Sequence, residues 1–348
     1  MFVEVVPVIL CGGSGSRLWP MSTPSLPKQF LQLIGGRSTF QMAVERAFEI
    51  AGVRSMLVVS NSQHLGHIED QLSGLSRKAR ILLEPIGRNS APAIAAACAY
   101  LAESAPDAVA VFMSADHNIP DEAAFARAVE AALDAAASGR IVTLGLRPSF
   151  PSTAYGYILP GEASGAAHAV QAYIEKPDIE TATRYVNDGY LWNSGTFVAK
   201  PATLLSEIAI HAPLVLAAAR AALPGRPTDN GATELGSAFG AAPSISIDHA
   251  VMEKTLLASV VPASFQWADV GDWSAVKAAV AIDSAGNAVT GDALMIESTN
   301  CFVNVPAGSR VALIGVKDIA VVVSPDGSIL ICDLANTQSV QKAADQFS

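Results

Sequence analysis

Between Leu10 and Phe30 the sequence reads LCGGSGSRLWPMSTPSLPKQF. Gly12, Gly13 and Gly15 follow an apolar run, and a glycine loop at a strand end lets backbone N–H groups approach phosphate oxygens closely. No Gly-Lys-Ser/Thr closes the loop, so it is not a Walker A loop. The third glycine of a dinucleotide fingerprint is absent, and Arg17 stands inside the loop. Glycines alone could also make a turn that binds nothing. Arg17 and Lys28 give the stretch its chemistry, because both are cations held by stiff flanks, Trp19-Pro20 and Pro27. At 4 Å each gains about 4 kcal/mol from a phosphate charge at an effective dielectric of 20, before desolvation. The ligand expected here is a polyphosphate.

Two carboxylates could complete such a site. Asp116, in MSADHN, follows an apolar run directly, and Asp269, in WADVGDW, stands between bulky apolar residues where an unpaired carboxylate would be costly. Asp116 alone could be a turn or helix cap. Together they suit Mg²⁺, which takes one or two carboxylates plus phosphate oxygens and water. Asp272 is placed to cap the helix that follows it, a structural role. Glu175-Lys176-Pro177 sets an acid beside a base, which could be a surface ion pair. Asn193, in YLWNSGTF, offers an amide at the end of an aromatic run.

These residues need a frame. Strand-like runs at 5–10, 56–60, 79–85, 107–116 and 140–146 alternate with helical spacing at 38–52, 91–103 and 121–139, which predicts a Rossmann-like, doubly wound, mostly parallel α/β sheet. Ligands of such sheets bind at the carboxyl ends of the strands. A hairpin is expected across YGYILPG and HAVQAYIEKP, then helices at about 178–188, 201–222 and 248–258. From residue 284 on, short β runs broken by Gly, Pro and Asn replace helical spacing, and the tail ANTQSVQKAADQF reads as a helix. The expected domains are 1–283 and a small β-helix-like domain, 284–348.

The 348 residues are 51% hydrophobic, enough for a large core and a small one. The net charge of -10, with no basic run, excludes the electrostatics of nucleic-acid binding. No apolar run reaches the roughly 18 residues of a membrane span. The opening MFVEVVPVILC lacks a basic start and carries Glu4, so it reads as a first buried strand rather than a signal peptide. Cys11, Cys98, Cys301 and Cys332 sit in apolar stretches without metal spacing and read as core thiols of a reducing compartment, the cytoplasm.

GGSGSRLWP…PKQFL, EPIGRNSAPAIA, SADH, YGYI, IEKPD, LWNSGTF, SIDHAVMEK and WADVGDW occur in this order over residues 10–273. In this they resemble the mannose-1-phosphate guanylyltransferases, a branch of the sugar nucleotidyltransferases. The resemblance implies that GTP and α-D-mannose 1-phosphate give GDP-mannose and pyrophosphate, by in-line attack of the sugar phosphate on the α-phosphorus. It implies that the backbone from Leu10 through Gly12 and Gly13 holds the nucleotide, that Arg17 draws off the β- and γ-phosphates, and that Lys28 stabilises charge at the α-phosphate. Glu84 and Asn89 would line the guanine-ribose side. Asp116 and Asp269 would hold Mg²⁺. Gly156, Glu175 and Asn193 would take sugar hydroxyls, and Lys176 the sugar phosphate. Ser16, Ala154 and His249 depart from the family pattern, which carries Thr, Gly and Tyr there. The chain stops at Ser348, short of the isomerase domain of long bifunctional relatives, and its tail resembles the β-helix of single-function enzymes that packs against a partner subunit. A homodimer is therefore expected. Two rival readings stand beside this one: a nucleotidyltransferase for another base or sugar, and a non-catalytic sugar-nucleotide-binding regulator. A nicotinamide dehydrogenase would need the fuller glycine fingerprint and an acid about twenty residues beyond it.

Overall fold

The computed structural model describes residues 4–13, 15–228 and 231–347. They form two compact units. The first comprises the chain up to Gly12, Ala43–Ala115 and Ile119–Trp267; the second comprises Gly13–Met42, Asp116–Asn118 and the chain from Ala268 onward.

Along the chain, β1 (Val5–Cys11) leads through the glycine loop to α1 (Thr39–Glu49); β2 (Leu57–Asn61), α2 (Leu65–Gly74), β3 (Arg80–Glu84), α3 (Ser90–Ser104) and β4 (Val109–Ser114) follow. After the short β5 (His117–Asn118) come α4 (Glu122–Ala137), β6 (Ile141–Leu146), the hairpin β7 (Tyr157–Ser164) and β8 (Ala167–Ile174), α5 (Ile179–Asn187) and β9 (Leu191–Ala199). Then come α6 (Pro201–His211), α7 (Pro213–Ala221), β10 (Arg226–Pro227), β11 (Thr233–Glu234), β12 (Ala258–Ala263), β13 (Ala268–Asp269) and α8 (Trp273–Ala278).

The first unit is built on one eleven-stranded sheet, in the order β10-β11-β3-β2-β1-β4-β9-β6-β12-β8-β7. From β3 through β2 and β1 to β4 every pairing is parallel. These strands are short, apolar and rich in β-branched residues, as strands covered on both faces must be. Their carboxyl ends come into line: Cys11 pairs with Ser60, Asn61 with Glu84, and Leu10 with Ser114. Beyond β4 the sheet is mixed, because β9 runs antiparallel to both β4 and β6.

Helix α3 is buried from Ala91 through Cys98, and its alanines join α6 and α7 in one core with β1, β2 and β4. Asp121 and Asp178 cap α4 and α5, each accepting a backbone N–H at 2.8 Å. The helix expected over 201–222 is two, broken at Ala212, whose extended φ of -145° precedes Pro213. A residue before proline is driven out of the helical region, and the ring then opens the next helix. The helix expected over 248–258 is a single π-turn, Asp248–Met252. The apolar, β-branched run after it becomes β12 instead, with Val260 and Val261 buried between β6 and β8.

In the second unit β5 and β13 form a two-residue antiparallel ribbon that sets His117 opposite Asp269. The C-terminal part stacks parallel strands: β14 (Ala288–Thr290), β16 (Phe302–Asn304) and β18 (Ile319–Val323) in one column, and β15 (Ala293–Ile296) with β17 (Val311–Ile314) in another. Cys301, Val303, Val305, Leu313 and Val321 fill the space inside, as the winding of a small β-helix requires. Strand β19 (Ile329–Asp333) folds back antiparallel on β18, and a short 3-10 helix (Leu334–Ser339) leads into α9 (Val340–Phe347). Leu18, Val270, Trp273, Val276, Ala288, Phe302, Ala320, Val322, Leu330 and Val340 make one apolar core. The loop carrying Arg17 and the β-helix are thereby parts of the same packed body.

Candidate active site

β1 delivers the glycine loop. Gly13 and Gly15 take φ of 93° and 67°, the left-handed region that side chains resist. Gly15 has a second reason to lack a side chain: a Cβ there would lie 2.5 Å from Lys28 Cβ. The loop thus closes over Lys28, and Ser22 Oγ fixes it by donating to the Gly15 carbonyl at 2.5 Å.

Lys28 is the hub of the second unit's polar group. Its ammonium stands 2.8 Å from Asp116 Oδ2 and 3.3 Å from Asp269 Oδ1, and donates to the Val270 carbonyl at 3.0 Å. Asp116 comes from the bend just past β4, and Asp269 from β13; the β5–β13 ribbon pins them together, with Val270 N–H donating to the Asp116 carbonyl at 3.4 Å. Lys28 is buried, which disfavours its charge, but the two carboxylates outweigh burial and hold the ammonium above its ordinary range. Asp116, His117 and Asp269 place ligand atoms within 4.8 Å of one another. That oxygen-rich donor set fits a divalent cation that keeps phosphate and water in its remaining positions.

Arg17 does not join the Lys28 group through its own hydrogen bonds. Its Nη1 donates to Gln338 Oε1 at 2.7 Å, and its guanidinium lies over Gly271, where a Cβ would stand 3.4 Å from Nη2. Asp272 caps α8 as expected, accepting from Ala275 N–H at 2.9 Å.

In the first unit, Glu84 ends β3 and Asn89 caps α3, accepting from Ser90 N–H at 2.8 Å with φ of 67°. Glu84 is buried with its Oε1 unpaired, and burial pushes its carboxyl up to about 7. Leu10 and Gly12 lie at the end of β1 on the same row of strand ends.

Gly156, Glu175 and Asn193 come together. A Cβ at Gly156 would fall 2.5 Å from Glu175 Oε2 and 3.4 Å from Asn193 Cβ. The adjacent Lys176, at φ 48°, pairs with Glu175 at 3.0 Å; Lys176 is exposed and Glu175 largely buried. Burial and the nearby Asp248 raise the Glu175 carboxyl above its ordinary range.

Sequence reasoning missed the partners of Asn193. Its Oδ1 accepts from Thr143 Oγ1 at 2.8 Å and from Gly195 N–H at 3.1 Å. Its Nδ2 donates to Tyr173 Oη at 2.5 Å and Asp248 Oδ1 at 3.2 Å. Tyr173 donates in turn to Asp248. Burial, then Asp248, keep the Tyr173 phenol protonated far above its ordinary range. The amide is therefore orientationally locked, and Asp248 is the outermost member of the chain. The signal available in the sequence was the SIDHAVMEK stretch, which contains Asp248; the π-turn that holds it, a form that concentrates at functional positions, was not visible there.

A buried cation on two carboxylates beside a glycine loop is equipment for handling phosphate charge, and a locked amide beside a carboxylate is equipment for reading hydroxyls. Enzymes that couple nucleotides to phosphorylated polyols need equipment of both kinds. The nucleotidyl transferase family profile matches residues 6–285, and that of the MannoseP isomerase/GMP-like beta-helix domain matches residues 291–347. The chain is 41% identical to the xanthan biosynthesis protein XanB of Xanthomonas campestris pv. campestris (strain ATCC 33913) over 99% of its own length and 73% of that protein's. It is 39% identical to a mannose-1-phosphate guanylyltransferase of Escherichia coli K12, with the same coverage of each. A crystal structure from Thermus thermophilus, described as a mannose-1-phosphate geranyltransferase, superposes with a TM-score of 0.88 at 30% identity and covers 99% of both chains. The chain belongs to the nucleotidyl transferase family, in the branch of the mannose-1-phosphate guanylyltransferases.

Proposed function

We propose that the protein transfers GMP from GTP to α-D-mannose 1-phosphate, releasing pyrophosphate. The observation that carries this reading is the convergence of Lys28, Asp116 and Asp269, in a chain whose relatives include mannose-1-phosphate guanylyltransferases. The sugar phosphate oxygen attacks the α-phosphorus in line, without a covalent enzyme intermediate, so catalysis is positioning and charge stabilisation. Backbone from Leu10 through Gly12 and Gly13 holds the nucleotide, with Glu84 and Asn89 on its guanine-ribose side. Lys28, held fully charged by its carboxylates, stabilises the α-phosphate, and Arg17 draws on the departing β- and γ-phosphates. Asp116 and Asp269 hold Mg²⁺, which when bound would neutralise phosphate charge. Gly156 leaves room at Glu175 for a sugar hydroxyl, Asn193 orients the acceptors around it, and Lys176 meets the sugar phosphate.

In this reading residues 1–283 form the catalytic domain and 284–348 the β-helix domain. Val289, Leu294, Ile296, Ile314, Ile329 and Ile331 are exposed large hydrophobics on the β-helix. Exposed apolar side chains of this size are what an association surface offers, and we assign them to contact with a second copy of the chain. A monomeric mass by light scattering at micromolar concentration would refute the homodimer. No helix among the described residues is long and apolar enough to cross a membrane, and the four cysteines are free thiols; both suit a cytoplasmic enzyme. The test of function is pyrophosphate release across four nucleoside triphosphates and several sugar 1-phosphates. GTP with mannose 1-phosphate should exceed every other pair by at least about tenfold; a faster rate with another base or sugar reassigns the substrate.

A further inference from the structure

Arg17 and Gln338 are 321 residues apart, and both lie in the second unit. Gln338 lies near the end of the 3-10 helix Leu334–Ser339 that leads into α9. Its amide is used at both ends: Oε1 accepts from Arg17 Nη1 at 2.7 Å, and Nε2 donates to Asp272 Oδ2. The order is dictated by Asp272. A carboxylate only accepts, so it selects the NH₂ end of the amide and turns the carbonyl end to the guanidinium. Asp272 is itself fixed, with Oδ1 accepting from Ala275 N–H and Ser274 Oγ, both at 2.9 Å. Ser274 Oγ also meets Thr337 Oγ1 at 3.0 Å, tying α8 to the residue before Gln338.

Apolar contacts hold the same two segments. Trp19 stacks on Phe347 at 5.2 Å with an interplanar angle of 11°, and Trp273 Nε1 donates to the Trp19 carbonyl at 2.9 Å. Leu18 and Val340 share one core. Gly271, two residues beyond Asp269, lies beside the guanidinium, where a Cβ would come to 3.4 Å from Nη2.

We propose that Gln338 is a positioning residue for the reaction: it fixes the plane of the Arg17 guanidinium so that Nε and Nη2 stay directed at the departing phosphates. The C-terminal segment is then part of the catalytic machinery rather than an appendage. This rests on the reading of Arg17 as the leaving-group residue. A guanidinium presents its donors in a rigid fork, so anchoring one nitrogen orients the rest, whereas an unanchored arginine must give up rotamer freedom in each turnover.

The test compares wild type, Gln338→Met, Arg17→Ala and the double variant by pyrophosphate release from GTP and mannose 1-phosphate. Gln338→Met keeps the shape and removes the amide. It should lower kcat about tenfold, the scale of one hydrogen bond to a charged group, with KM for mannose 1-phosphate within about twofold, while any fall in thermal midpoint from leaving Asp272 Oδ2 without its donor should be the same with and without Arg17. In the Arg17→Ala background the same substitution should change kcat less than about twofold, because its target is gone. An unchanged kcat in the single variant, or an equal loss in both backgrounds, overturns the proposal, since a purely structural link would act regardless of Arg17. If Gln338→Met does not fold, Gln338→Asn makes the same comparison with an amide one methylene too short. If wild type releases no pyrophosphate from these substrates, the functional reading fails first. The coupling is then read from inorganic pyrophosphate affinity by calorimetry in the same four proteins, where equal losses in both backgrounds again overturn it.

Discussion

Glu84 sits at the end of β3 with one carboxyl oxygen buried and unpaired. Burial alone raises it from an ordinary 4.5 to about 7. Below pH 4.5 the carboxyl is neutral whether the chain is folded or unfolded, and its contribution to stability is at its most favourable. Between 4.5 and 7 the unfolded chain gives up the proton while the folded one keeps it, so stability falls by about 1.4 kcal/mol per pH unit. Above 7 both forms are ionised, and the loss levels off at about 3 kcal/mol. Glu84→Gln removes the titration and leaves a buried amide, whose hydrogen-bonding cost does not vary with pH. The difference in unfolding free energy between variant and wild type should therefore shift in the variant's favour by about 3 kcal/mol from pH 4.5 to pH 8. Urea unfolding of both proteins at pH 4.5, 6 and 8 reads this directly, with equal m-values required for the comparison. A difference that stays constant across that range would show that Glu84 ionises normally in the fold and that its burial has been misjudged.

Tyr173→Phe removes the hydroxyl joining Asn193 to Asp248; it should cost about 1–3 kcal/mol of stability and raise KM for mannose 1-phosphate several-fold while leaving KM for GTP unchanged, as steady-state kinetics with each substrate varied will show. Asp248→Asn should also raise KM for the sugar phosphate, and an unchanged value would confine Asp248 to a structural role. Gly15→Ala puts a methyl group against Lys28 at a left-handed backbone position, so it should cost about 2 kcal/mol or more and slow turnover. Gly12→Ala has open space around it and should leave unfolding free energy within about 0.5 kcal/mol of wild type, and paired denaturation curves distinguish the two.

Strand–helix alternation up to β6 was legible, α2 apart, because most strands are short runs rich in β-branched residues and α3 and α4 carry their own punctuation, as with Asp121 before α4 and Pro92 in the first turn of α3; α2 was not expected, and it has no side-chain cap at its start. The break between α6 and α7 was overlooked because apolar spacing continues through Pro213, and the π-turn at Asp248 because its apolar residues fit ordinary helical spacing. Within the site, Asp116 and Asp269 stood out as acids at the ends of apolar runs. The contact of Lys28 with both carboxylates did not, because it depends on the pairing of β5 with β13, two strands of two residues each, too short to show strand alternation. Thr143, Tyr173 and Asp248 reach Asn193 from three other elements, and Gln338 reaches Arg17 from the far end of the chain; no local signal encodes such meetings.

The central claim is that Lys28, Asp116 and Asp269 form one phosphate-handling centre. It is tested most directly by the rate of pyrophosphate release from GTP and mannose 1-phosphate, followed as Mg²⁺ is raised, in wild type, Asp116→Asn and Asp269→Asn. Wild type should show a saturable requirement for the ion, and each variant should remain at least about a hundredfold slower at every concentration, the scale on which fixed charge stabilises phosphoryl transfer. A variant that comes within threefold of wild type at high Mg²⁺ would remove that carboxylate from the reaction.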